Sequence, residues 1–225
     1  MTGQVTAPSS MTRTTPAERA RVGWLAAFVL AVVVGHHVGT LLKPLGSAGR
    51  HVEWADLVDL LVPYAVVGSA LAALRAWGAP RRSWLLAGVG GVVYVQGHGV
   101  HLAANSIGNA RGNAQPVHLW DEVVGHYLWY VGLYLLVLAL GTAAPALTSS
   151  WRWPLAALFG LTSATNGIEG GTAVLTLVVS LTFVGWGLRR RSDALVAAWT
   201  LTAVLLTGWG VYWQGFPQFS ELGWI

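Results

Sequence analysis

Long apolar stretches alternate with short polar breaks along this chain, and the stretches have the length of membrane spans. Val22 to Leu42, Ala55 to Trp77, Trp84 to Asn105, Val117 to Gly141 and Ala194 to Trp213 are nearly free of charge. Each is about 20 residues long, which suffices for a helix rising about 1.5 Å per residue to cross a hydrocarbon core of about 30 Å. From Pro154 to Leu188 the apolar run is too long for one crossing, because a single helix there would reach about 50 Å. It must turn. The turn is legible at Asn166-Gly167-Ile168-Glu169-Gly170-Gly171, where glycines permit reversal and Glu169 is the only charge. The pattern therefore predicts an all-α, polytopic transmembrane bundle of seven helices, over about 22–42, 55–77, 84–105, 117–141, 154–166, 170–188 and 194–213. These spans form one domain, 21–216, between a disordered cytoplasmic tail, 1–20, rich in Thr, Ser and Pro, and an outer C-terminal tail, 217–225.

Composition supports the membrane reading and charge orients it. Of 225 residues, 54% are hydrophobic and only 10% charged, against about 25% charged in soluble domains. With seven spans and the N-terminus inside, Arg13, Arg19, Arg21, Arg75, Arg81, Arg82, Arg152 and Arg189 to Arg191 fall on the cytoplasmic side. Lys43, Arg50 and Arg111 fall outside. Basic residues favour cytoplasmic loops, so the N-terminus is expected inside, the C-terminus outside, and the chain in the cell membrane. Merging the broken run into one span would move Arg189 to Arg191 outside and spoil the asymmetry. Tryptophans agree, clustering near the expected span ends. The basic residues line no nucleic-acid groove, so nucleic acid is not an expected partner. Without cysteine, thiolate metal sites, iron–sulfur clusters and disulfides are excluded.

The topology places nearly every intramembrane ionisable group in the outer half of the bilayer. Span 1 carries His36 and His37 near its outer end, span 3 carries His98 and His101, and span 4 carries His118, Asp121, Glu122 and His126. His98, His101 and Asn105 stand at i, i+3 and i+7 and share a helix face. His118, Glu122 and His126 at i, i+4 and i+8 do the same, with Asp121 turned partly aside. Glycines 88, 90, 91, 97 and 99 narrow span 3 and predict close packing against span 4. Asn166 and Glu169 lie at the outer turn. Other groups have plainer expectations: His51 as a solvated loop residue, Asp56 and Asp59 as acids welcomed at a helix start.

Burying this many ionisable groups is costly, which points to chemistry. The leading expectation is a metal-dependent membrane enzyme, a hydrolase or oxidase, acting on a lipid-like or small apolar substrate. His98, His101, His118 and His126 would hold zinc or iron, with Glu122 as base or ligand and Asp121 as orienter or acid. The seven-span outline with buried histidines is superficially similar to alkaline-ceramidase-like membrane hydrolases. It lacks that family's late-span histidine pair, since His126 is the last histidine of the chain. Alternatives follow in order: a haem b or quinone-linked redox subunit with histidines as axial ligands, a proton-coupled transporter, and a structural or assembly subunit.

Overall fold

A computed structural model describes residues 16–50, 52–111, 115–144 and 149–224. The expected solvated loop residue His51 and most of the expected N-terminal tail lie outside the described residues. Helix α1 (Pro16–Gly35) starts earlier than expected, because Pro16 is suited to a first helical turn and Glu18 complements the positive end of the helix dipole.

The spans expected at the two ends of the first hairpin are each broken. After α1 the chain turns at His36 and His37, whose ring Nδ1 atoms lie 2.8 Å from Val32 O and 2.6 Å from Val33 O, then resumes as α2 (Val38–Leu42). The His37 N–H turns to Val34 O, which leaves Val33 O without its helical donor and to the His37 ring, whereas Val32 O meets both the N–H and the ring of His36. A 3-10 turn (Lys43–Leu45) and a two-stranded antiparallel ribbon, β1 (Ser47–Gly49) and β2 (Val52–Glu53), lead into α3 (Trp54–Asp59). Asp56 accepts from the Glu53 N–H at 2.9 Å, one half of a capping box, so this acid does serve a helix start. Leu60 and Leu61 separate α3 from α4 (Val62–Ala76), whose Pro63 lies in its first turn.

The remaining helices are α5 (Arg81–Arg111), α6 (Gln115–His118), a π-helical segment (Leu119–Gly125), α7 (His126–Ala143), α8 (Arg152–Glu169), α9 (Ala173–Arg190) and α10 (Asp193–Trp213). The predicted break in the long apolar run is present, but it falls at Gly170–Thr172. Asn166 and Gly167 stay helical, and the reversal uses Gly171 at φ +60°. Among the described residues, four stretches are long and apolar enough to cross a membrane: Trp54–Ala76, Gln115–Ala143, Ala173–Arg190 and Asp193–Trp213. Large apolar side chains face outward, Val92 at 72% exposure and Val211 at 74%, as a lipid solvent allows and water does not.

Helix α5 packs most extensively on α7, α8 and α9 on α10, and α1 on α4. The main core runs from Phe28, Val66 and Leu74 through Tyr94, Trp129 and Leu136 to Trp199. A second, smaller core joins Ile168 and Leu206 to Trp209, Phe216 and Phe219. There the expected outer tail is folded back: Gln218 Nε2 donates to Glu169 O at 2.6 Å, and the Ser220 N–H to the Glu169 carboxylate at 3.2 Å.

The glycines expected to narrow the third span divide in two. Gly88 and Gly99 face open space, whereas a Cβ on Gly97 would collide with the Trp129 backbone and one on Gly132 with the Tyr94 backbone. We expect Gly97→Ala to destabilise the detergent-solubilised protein by about 1–3 kcal/mol, because backbone cannot yield as a side chain can. Gly99→Ala should stay within about 0.5 kcal/mol of wild type. Thermal melts followed by circular dichroism separate the two.

Candidate functional site

Helices α5 and α7, brought together by these glycines, carry the polar cluster at the end of the bundle where α3 and the π segment also pack. Three imidazoles each meet one carboxylate. His98 Nε2 lies 3.3 Å from Asp59 Oδ1 and 3.1 Å from Asp59 O, His101 Nδ1 lies 2.6 Å from Asp121 Oδ1, and His126 Nδ1 lies 3.3 Å from Glu122 Oε2. The rings of His101 and His126 stack with centroids 4.5 Å apart. His98, at 1% exposure, is sealed inside, while His101 and Glu122 are partly open to the surface.

Trp129 occupies the centre. Its indole stacks on His36 at 4.7 Å, meets His98 edge-on at 4.5 Å, and lies 5.2 Å from His101 and 5.9 Å from His126. Tyr94 and Tyr130 complete the shell, and the Tyr130 hydroxyl donates to Asn166 O at 2.9 Å. The edge-on contact of His98 and the stacked contact of His36 are both arrangements that aromatic rings favour.

The π segment corrects the expected face of the fourth span. Sequence spacing of four groups His118, Glu122 and His126 and sets Asp121 aside. In π geometry, where bonds run i to i+5, residues five apart align, so Asp121 and His126 share the buried face at 7% exposure each, and His118 is exposed. Glu122 still reaches His126. Gly125 lets the turn approach α5, since a Cβ there would stand 3.0 Å from His101 Cα.

Other expected residues sort as follows. His36 joins the cluster through Trp129, and His37 serves its own turn. Asn105 is half-buried and makes no hydrogen bond to the three couples among the described residues. Asn166 is buried and contributes its carbonyl to Tyr130. Glu169 holds the C-terminal tail and stands apart from the histidines. Asp59, read from sequence as a helix-start acid, instead pairs with His98. Trp129, Tyr94 and Tyr130 went unread, although 129 follows His126 by three positions, 130 by four, and 94 precedes His98 by four, all same-face spacings.

The four-histidine metal centre is not assembled. Among the described residues, no group of three or more His, Asp or Glu side chains is disposed to hold one metal ion. The reason is steric: the point on which the imidazoles converge is filled by the Trp129 indole, and His118 points away from it.

The His101–Asp121 contact should fix which ring nitrogen of His101 carries the proton. In protein labelled with ¹⁵N in its histidine rings, Asp121→Asn should change the Nδ1/Nε2 shift pattern of one histidine strongly and leave that of His37 unmoved. A spectrum identical to wild type would remove the couple from the description. No family model, curated protein or solved structure matches this chain.

Proposed function

We propose that this chain is an integral membrane protein of seven spans, cytoplasmic at its N-terminus and outside at its C-terminus, whose cluster is an acid–base centre serving an enzyme that acts on a lipid-like substrate in the outer leaflet. The topology takes α1 with α2, α3 with α4, α5, α6 through α7, α8, α9 and α10 as its crossings. Its support is the outward-facing apolar surface and the basic residues gathered at one end.

The observation that carries the chemistry is the set of three imidazole–carboxylate couples around one tryptophan. A carboxylate on one ring nitrogen orients the imidazole and leaves the other nitrogen to face a substrate, which is how a histidine is positioned to take a proton. His101 is the partly exposed member and acts as the base, with Asp121 orienting it. His126, stacked on it and backed by Glu122, is the second proton store. The buried His98–Asp59 couple fixes α3 against α5. Apolar side chains at the rim, Leu57, Leu119 and Val123, are exposed and suit a substrate that arrives from the bilayer.

A metal-dependent version keeps one specific point in its favour, since a carboxylate behind an imidazole is also the habit of metal-ligating histidines. The Trp129 indole at the centre of the cluster argues against it.

Turnover of a bilayer lipid extract by the purified protein, followed by mass spectrometry, tests the enzyme reading. His101→Gln and Glu122→Gln should each lower the rate by roughly 10²- to 10⁴-fold while the protein melts as before. Elemental analysis giving one metal per chain, lost in His126→Ala, would move the reading to the metal-dependent version. For the topology, a reporter fused after Ile225 should be active outside, and cytoplasmic activity would overturn the count of seven.

A further inference from the structure

Helix α5 leaves one of its faces uncovered. Leu85, Gly88, Val92, Gln96, Gly99 and Ala103 are all exposed and recur every three or four residues, so they form one stripe along the helix. The stripe borders an open groove of about 580 Å³ against Val67 and Leu71 of α4. Two of its features serve nothing inside this chain.

The first is the side-chain amide of Gln96, which is exposed and has no hydrogen-bond partner among the described residues. Gln96 stands midway along α5 (Arg81–Arg111), about 22 Å from either end, and so near the middle of the bilayer when α5 is a crossing. At that depth hydrocarbon offers an amide neither donor nor acceptor, and the side chain is too short to reach water. The second feature is a pair of glycines. Gly90 and Gly97 pack against α7 and Gly91 against α4, whereas a Cβ on Gly88 or Gly99 would meet nothing. Glycine weakens a helix interior, and these two lie about three turns apart on the uncovered face, where what they permit is the close approach of another backbone.

We propose that this face of α5 docks a second copy of the chain, with the two Gln96 amides hydrogen-bonded to each other. Copies inserted in the same direction are related by a two-fold axis only when that axis runs along the membrane normal, so each residue of the face meets its counterpart at its own depth. A primary amide suits that constraint because it is its own complement. The Nε2–H of each Gln96 donates to the Oε1 of the other, and both amides are satisfied. An acyl chain would fill the groove and leave the amide unpaired, which favours a second copy over a lipid. Gly88 and Gly99, on either side of Gln96 along the stripe, give the backbone approach that so short a side-chain contact requires. The proposal rests on α5 being a crossing in the seven-span reading, and not on the acid–base centre.

The experiment uses the full chain in phosphatidylcholine vesicles. Because the sequence has no cysteine, a single one can be placed without background. On mild oxidation at a high ratio of lipid to protein, Val92→Cys, at the centre of the face, should give a disulfide-linked dimer. Val211→Cys, as exposed but on α10, should stay monomeric. Energy transfer between copies labelled at their N-termini, followed as lipid is added, gives the affinity. Gln96→Leu should weaken self-association by about five- to twentyfold, and Gly99→Leu by at least as much. Both substitutions fall on the uncovered face, so both variants should melt as wild type does. A wild type that stays monomeric throughout, equal cross-linking at Val92→Cys and Val211→Cys, or unchanged self-association in Gln96→Leu would each overturn the interface. The reporter fusion reads topology separately, so an outward-active C-terminus on a monomeric protein sinks this inference alone.

Discussion

The contact between α5 and α7 is the constraint on which the rest of the structure depends. The backbones of three cluster residues lie against glycines of the facing segment: Trp129 against Gly97, Tyr94 against Gly132, and His101 against Gly125. In lipid no hydrophobic force drives helices together, so close backbone packing must supply the attraction, and glycines are what permit it. The same approach sets the His101 imidazole on the Asp121 carboxylate. Burying polar groups is costly unless opposite groups are brought near one another, and here the approach of α5 to the π segment decides whether His101 and Asp121 meet.

Much of this was legible from residue order. Apolar run lengths marked the helices, and the excess length of Pro154 to Leu188 forced a reversal that occurs within a few residues of the expected place. The close packing at Gly97 followed from the glycine pattern. The breaks at His36–His37 and Leu60–Leu61 did not, because a continuous apolar stretch looks the same whether or not its helix is interrupted. Hydropathy reports solvent, and says little about where a backbone ladder lapses.

The candidate site is legible in part, and what stays hidden has three separate causes. Uniform helical spacing sets Asp121 aside and draws His118 in, whereas the backbone over Leu119–Gly125 is π-helical. Asp59 was assigned to its own helix because its partner is 39 residues away. Trp129 was overlooked because aromatic residues in a membrane protein carry an obvious interfacial role, which hides one placed at the centre of a polar cluster.

A π-helical turn is a helix holding about one residue more than its α counterpart, which makes chain length at this point a chemical variable. Removing a single residue between Leu119 and Gly125 would restore the α ladder and rotate what precedes it. After a deletion between Glu122 and His126, Asp121 would stand four residues before His126 and stay on its face, while His118, then seven residues before it, would turn onto that face too. The cluster would gain an imidazole with no side chain substituted. The make-up of this cluster is thus set partly by a residue count, and a chain one residue shorter here would gather a different set of side chains at the same end of the bundle.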